Sequence, residues 1–355
     1  MNHPFELPAA FDEGCAPEDG DGVPVRLSAC AKAGAGAVCV SRPENLKAAQ
    51  SAAGDGIPVG GVLGPSGIVL DPPGESDFDD LCAAWQKKVR AFADAEARFL
   101  LLNRQTSLAD ARAALLAARS ERLPVLVGMA AGSGTEEEGF LPALITLQSM
   151  GAAAVGLCGA PDASLIAAVR RAGRHASVPL FAVADAAPGQ TPDGYEKAVR
   201  PLLDAGVRMV VCGRNTSPKH LGALAESIKK FGPPEIPEEP DCYAAATERE
   251  AFFLGNDIEF SEPLFCTDSL VDRLIDLDDE QVTAALVRVE SVGDAVLLGE
   301  CAAMSKLPIA VRADGATVLD AALRRFQGRL IVDSGSGVEP EVLEPLAAKY
   351  GAIVY

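Results

Sequence analysis

Residues Met209–Leu221 read MVVCGRNTSPKHL and hold the densest set of chemistry-bearing side chains in this sequence. An apolar strand ends on the thiol of Cys212, Arg214 follows closely, and Ser217-Pro218 has the form of an N-cap and first helical residue. A cation beside the backbone N–H groups of a helix start suits a carboxylate or a phosphate, so Arg214 and Ser217 are candidate anion-binding residues. His220, one turn into that helix, reads as a packed or solvated imidazole rather than a base. Asp12, Asp185 in VADAAPG and the acidic run Glu136–Glu138 are the other titratable candidates. No carboxylate pair has the spacing of an acid–base couple, so no residue is given a catalytic role.

Such side chains need a scaffold, and the sequence supplies a regular one. Short apolar runs at Ala9–Phe11, Ala37–Val40, Pro58–Val62, Phe99–Leu102, Pro124–Met129, Ala153–Leu157, Pro179–Val183 and Met209–Cys212 alternate with amphipathic stretches. Ser76, Ser107, Asp162 and Ser217 are placed as N-caps, and Gly151, Gly173 and Gly206 follow helix ends where a left-handed residue is easy. Eight strand–helix repeats in about 230 residues are the arithmetic of a (β/α)8 TIM barrel. The first turn lacks the GxGxxG of a doubly wound sheet.

The prolines and acids of Phe231–Pro240 mark a boundary. The expected organisation is a barrel over 1–231, a linker over 232–250 and a smaller, partial α/β segment over 251–355. In that segment Asp294–Gly299, Pro308–Val311, Arg329–Val332 and Ala352–Tyr355 read as strands. Asp279–Glu290, Ala316–Phe326 and Pro340–Tyr350 read as helices.

At 355 residues, the chain is long enough for two cores. A net charge of −19 repels phosphate backbones and anionic lipid, so neither nucleic acid nor a membrane is expected as a partner. Apolar runs such as Ala152–Cys158 fall far short of the ~20 residues a bilayer span needs. Nine scattered cysteines without a CxxC pair fit reduced thiols, and the N-terminus lacks the pattern of an export signal, so a cytoplasmic location is expected.

Several stretches, in order, resemble the homocysteine S-methyltransferase family, in particular the N-terminal module of cobalamin-dependent methionine synthase. They are Ala33–Val38 (AGAGAV), Val59–Gly67 (VGGVLGPSG) with Asp71–Gly74 (DPPG), Leu108–Leu115 (LADARAAL), Gly151–Gly159 (GAAAVGLCG) and Asp204–Leu221. The resemblance implies a barrel that moves a methyl group from a corrinoid or other donor to a thiol such as homocysteine. It also implies a zinc ion held by three thiolates, one from the sixth strand's end and an adjacent pair from the eighth.

Aligned on Thr216-Ser217-Pro218, Gly213 and Arg214 fall where that family has its cysteine pair, and Gly159 falls on the third ligand. Cys158 and Cys212 are each one residue early, and are the only metal-ligand candidates left. Asn103-Arg104 stand for the family's Glu-Thr, and Val40-Ser41 for its Thr-Asn. In FDEGCA (Phe11–Ala16), Asp12 would meet a substrate ammonium.

Pro308–Tyr355, with ALRRFQG and PLAAKYGA, resembles the opening of a pterin-binding domain, which implies a folate donor. Two functions follow from the resemblance and its gaps. One is a methyltransferase of methionine synthesis. The other is a catalytically degenerate barrel that binds a small anion, or a corrinoid protein or other partner subunit of one-carbon metabolism.

Overall fold

The computed structural model describes residues 10–12, 23–68, 77–131, 139–231, 236–277 and 282–355, and of 10–12 and 23 only the backbone. Ser76, Asp71–Gly74, Glu136–Glu138, the FDEGCA turn beyond Asp12 and the side chain of Asp12 lie outside the described residues. The chain divides into two compact units. The first spans 1–68, 79–140 and 152–240; the second takes 69–78, 141–151 and 241–355.

In the first unit, parallel strands β1 (Ala10–Asp12), β2 (Ala37–Val40), β3 (Val59–Leu63), β4 (Leu100–Gln105), β5 (Val125–Ala130), β6 (Ala154–Gly159), β7 (Leu180–Ala184) and β8 (Met209–Cys212) form a closed barrel in sequence order. Closure is made by β1, which pairs with Ala37 and Val38 on one side and Val210–Cys212 on the other. The expected (β/α)8 architecture is the observed one. Its helices in this unit are α1 (Val23–Lys32), α2 (Leu46–Ala53), α3 (Phe78–Asp94, its first residue excepted), α4 (Leu108–Glu121), α6 (Ala163–Ala172), α7 (Pro192–Asp204) and α8 (Pro218–Ile228), whereas α5 (Phe140–Ser149) falls almost wholly in the stretch that the second unit takes.

The caps follow the sequence. Ser107 accepts from the Asp110 amide and Asp162 from the Leu165 amide. Gly151 (φ 90°) and Gly206 (φ 105°) are left-handed as expected. Gly173 is not: it stays right-handed, because the chain runs on from α6 into a turn of 3-10 helix.

Alternation along the strands sorts side chains into two layers. Inward are Cys39, Phe99, Leu101, Leu126, Cys158, Phe181, Val183, Met209 and Val211. The two glycines of VGGVL have a Phe ring each. A Cβ on Gly60 would lie 2.6 Å from the inward Phe99 ring, and one on Gly61 would lie 2.5 Å from Phe92 of α3. The third strand is thus a place where rings from the core and from the helix layer both touch backbone.

Two of the recognised sequence stretches are joined by one buried carboxylate. Asp110 on α4 accepts from the Trp85 indole at 2.5 Å and from the Ser66 amide of GPSG at 2.7 Å. Replacing Asp110 with Ala strands both donors in the interior, and we expect a loss of about 2–4 kcal/mol. Trp85 is the sole tryptophan and is fully buried, so denaturation followed by its emission reads this loss from the barrel alone.

The second unit holds an antiparallel hairpin, β9 (Ala244–Ala246) with β10 (Ala251–Phe253). Its parallel sheet has the order β11 (Leu264–Phe265), β12 (Ala285–Val289), β13 (Ile309–Ala313), β14 (Ile331–Val332), β15 (Ile353–Val354). Helices α9 (Leu270–Asp276), α10 (Val292–Cys301), α11 (Ala316–Arg325) and α12 (Pro340–Tyr350) accompany it. The hairpin falls partly inside the stretch 232–250 read as a linker. The prolines stop at Pro240, and the apolar Ala244–Ala246 beyond them is free to pair.

Two elements of this segment exchange their expected types. Asp294–Gly299 is helical, within α10, where Ser291 and Asp294 form a capping box. The end of Asp279–Glu290 is strand β12, whose ALVRV run is buried almost throughout. Short apolar runs do not reveal their period, and the cap decides.

Arg329 ties the hairpin to the sheet. It donates to the carbonyls of Gly351 (2.8 Å), Cys242 and Ala244 (both 3.0 Å), and its neighbour Gly328 lets the Ala246 carbonyl approach where a Cβ would stand 2.1 Å away. Ala245, Ile258, Leu286, Ala310, Ile331 and Ile353 form the core beneath.

Burial, with help from Asp294, pushes the Cys266 thiol up to about 12, and burial raises Cys301 also. A raised folded value means the folded form holds its proton longer. Stability from Cys266 is therefore complete below the unfolded thiol's 9.0 and is lost as pH climbs toward about 12. We expect Cys266 to resist iodoacetamide at pH 8 in the folded protein and to react at once in denaturant, by peptide mass mapping.

Candidate active site at the barrel mouth

The C-terminal ends of parallel strands carry the chemistry of such barrels. Here those ends bring together Asn103–Gln105 of β4, Cys158-Gly159 of β6, Asp185 after β7 and Cys212–Asn215 after β8. Arg104 is the extra residue of a bulge: the β4–β5 register slips between Leu102 and Gln105, and Arg104 is left-handed at φ 55°. Its guanidinium reaches Asp185 Oδ1 at 2.5 Å, and the amide of Arg214 donates to the same oxygen at 2.7 Å. Both partners of this ion pair are mostly buried, with side chains 16% and 18% exposed.

Four non-glycine residues are left-handed among those described. Glu96 and Arg122 follow helix ends, whereas Arg104 and Asn215 (φ 59°) both stand at the mouth. Strain of about 1–3 kcal/mol per such residue gathers where a site is being shaped. Asn215 is held by donating to the Ala186 carbonyl at 3.0 Å, and Thr216 by donating to Gly213 at 2.6 Å.

Ser217 and His220 form a reciprocal cap for α8. The Ser217 amide donates to His220 Nδ1 at 3.1 Å, its hydroxyl lies 2.8 Å from the same nitrogen, and Nε2 faces the Gln190 carbonyl at 2.9 Å. The imidazole is a packed residue, edge-on to Tyr195 at 5.5 Å. Ser217, expected to bind an anion, has its amide and hydroxyl engaged in this cap. The Arg214 guanidinium is exposed and makes no ion pair among the described residues. Asp12 ends β1 in register with Cys212, which places its backbone on the same rim.

Cys158 and Cys212, the expected metal ligands, belong to different layers. Cys158 belongs to the inward layer, with its sulfur filling the space over Gly128. Cys212 comes one residue after the inward Val211, so it turns to the helix layer. The family's implied zinc does not fit the residues at its own positions either. A Cβ on Gly213 would meet Asp185 Oδ1 at 2.3 Å and the Ala184 carbonyl at 3.0 Å, and one on Gly159 would meet Ala131 at 3.2 Å. Among the described residues no group of three or more His, Cys, Asp or Glu could hold a metal ion. Sequence reasoning missed the Arg104–Asp185 pair; its partners are 81 residues apart and share no local pattern.

A closed parallel barrel with a polar mouth of this kind defines a broad class of α/β barrel proteins. Within that class, the homocysteine S-methyltransferase family profile matches residues 28–228, and the chain belongs to that family. Among solved structures it resembles the homocysteine methyltransferase MmuM from Escherichia coli. The apo form matches with 17% identity and a TM-score of 0.51, over 63% of this chain and 95% of that one. The oxidized form matches with 15% identity and a TM-score of 0.50, over 61% and 95%. No curated protein sequence is matched. No helix among the described residues is long and apolar enough to cross a membrane.

Proposed function

We propose that this member of the family binds a small carboxylate-bearing molecule at the barrel mouth without a zinc cage, as a repurposed or non-catalytic barrel of one-carbon metabolism. The observation that carries this reading is the Asp185 carboxylate lying where a side chain at position 213 would begin. That carboxylate is held by the Arg104 guanidinium from β4 and by the main-chain amide of Arg214 just after β8, and the Arg214 side chain is exposed. An α-amino acid offers a carboxylate and an ammonium, which match an exposed arginine and an aspartate.

Calorimetry against homocysteine, methionine and folates, with elemental analysis and a methyl-transfer assay, tests it. We expect no stoichiometric zinc, no turnover, and binding of a carboxylate ligand weakened roughly tenfold by Arg214→Ala, about 1.4 kcal/mol. Zinc-dependent turnover of homocysteine would overturn it.

Family membership favours a second reading, methyl transfer to a thiol with a corrinoid or folate donor. A free thiol, with a pKa of about 8.5, is only slightly ionised at neutral pH, so Arg104 and Arg214 would have to stabilise the thiolate in place of a metal. Turnover that persists with a chelator present would select this reading over the first.

A further inference from the structure

The barrel has a cavity of about 390 Å³ at its other end, away from the mouth. Val178 just before β7, Leu180 at its start, Ala205 after α7, and Ile236 make its apolar part, and Arg170 in the last turn of α6 and Arg174 in the 3-10 turn that follows make its charged part. This volume is within the range of small-molecule sites, about 300–1,000 Å³. The wall is amphipathic in a specific way: two guanidiniums one helical turn apart stand beside an apolar surface.

Three observations separate this place from ordinary surface. In a chain with 50 acidic and 31 basic residues, Arg170 and Arg174 are exposed and make no ion pair among the described residues. Ile236 is 42% exposed, so an apolar side chain at the rim is left in water. Basic residues in the last turn of a helix oppose its dipole, and that accounts for Arg170 and Arg171. It does not account for Arg174, nor for a cavity between Arg170, Arg174 and apolar residues from three other segments.

We propose that this cavity binds an anionic amphiphile: a carboxylate or phosphate head held by Arg170 and Arg174, and an apolar body laid on Val178, Leu180 and Ile236. Guanidiniums hold such heads by paired N–H donors, and covering Ile236 and its neighbours removes apolar area from water. The site is independent of the mouth, since it uses none of the same residues.

The probe is 8-anilinonaphthalene-1-sulfonate, an anion with an aromatic body, titrated into the full chain with fluorescence and calorimetry. The expected result is saturable binding to one site per chain, weakened as salt rises. Arg170→Glu with Arg174→Glu should lower the affinity at least tenfold, and Ile236→Glu several-fold. These are exposed positions, and unchanged Trp85 emission confirms the fold. Arg214→Ala should leave the binding as it is.

Binding that survives the double charge reversal overturns the proposal, as does binding lost in Arg214→Ala, which would put the probe at the mouth. Absence of saturable binding overturns it as well. None of these results bears on zinc or methyl transfer, and failure at Arg170 and Arg174 leaves the reading of the mouth as it was.

Discussion

Gly213→Cys, the substitution that restores the family's residue type, is expected to destabilise the barrel rather than rebuild a metal site. The new Cβ would stand 2.3 Å from Asp185 Oδ1 and 3.0 Å from the Ala184 carbonyl, which already accepts from the Gly213 amide at 2.9 Å. Relief requires the carboxylate to leave, and with it go the bonds from Arg104 and the Arg214 amide. Overpacking and a broken, largely buried ion pair together cost about 2–4 kcal/mol. For a unit of this size that lowers the melting temperature by roughly 5–10 °C. Trp85 emission follows the barrel's transition. A variant as stable as the parent that carries one zinc per chain would show that the mouth still accommodates the cage.

Arg329→Ala is expected to loosen the second unit while leaving the first untouched. Burial draws this arginine's pKa below its usual value, and it is tolerated there because its donors serve three carbonyls, on Cys242, Ala244 and Gly351. Removing it leaves those acceptors and a void where the hairpin meets β14, a loss of about 3–5 kcal/mol. Hydrogen exchange should rise across 242–254 and 329–355, with Trp85 emission unmoved. Lysine has a single point of charge and no planar fork, so Arg329→Lys should recover only part of the protection. Protection equal to the parent in both variants would remove Arg329 from this role.

The barrel was legible because its information is local. Each strand is a short apolar run, Ser107, Asp162 and Ser217 each cap the helix that follows, and the repeat carries the count. The GPSG stretch and LADARAAL were visible as separate markers, and the Asp110 carboxylate that joins them was not. In the second unit, ALVRV and DAVLLG have similar apolar content, and only the Ser291–Asp294 cap tells them apart. The hairpin at Ala244–Phe253 was hidden behind its prolines.

The site was the least legible part, for a reason of distance and direction. Arg104 and Asp185 meet across the barrel, and nothing in either neighbourhood announces the other. The faces of Cys158 and Cys212 depend on strand register, where an offset of one residue reverses a side chain. Matching residue types near the expected positions therefore pointed to a pair of sulfurs that the backbone separates.

The paired glycines of β3 have an evolutionary consequence. With Phe99 pressed on one side of the strand and Phe92 on the other, neither ring nor glycine is free to vary by itself. Enlarging Gly60 or Gly61 demands a smaller neighbour, and shrinking either ring opens a void beside bare main chain. Sequence drift at these two couples must therefore proceed by compensated double changes, one couple set by the interior and the other by the outer helical shell.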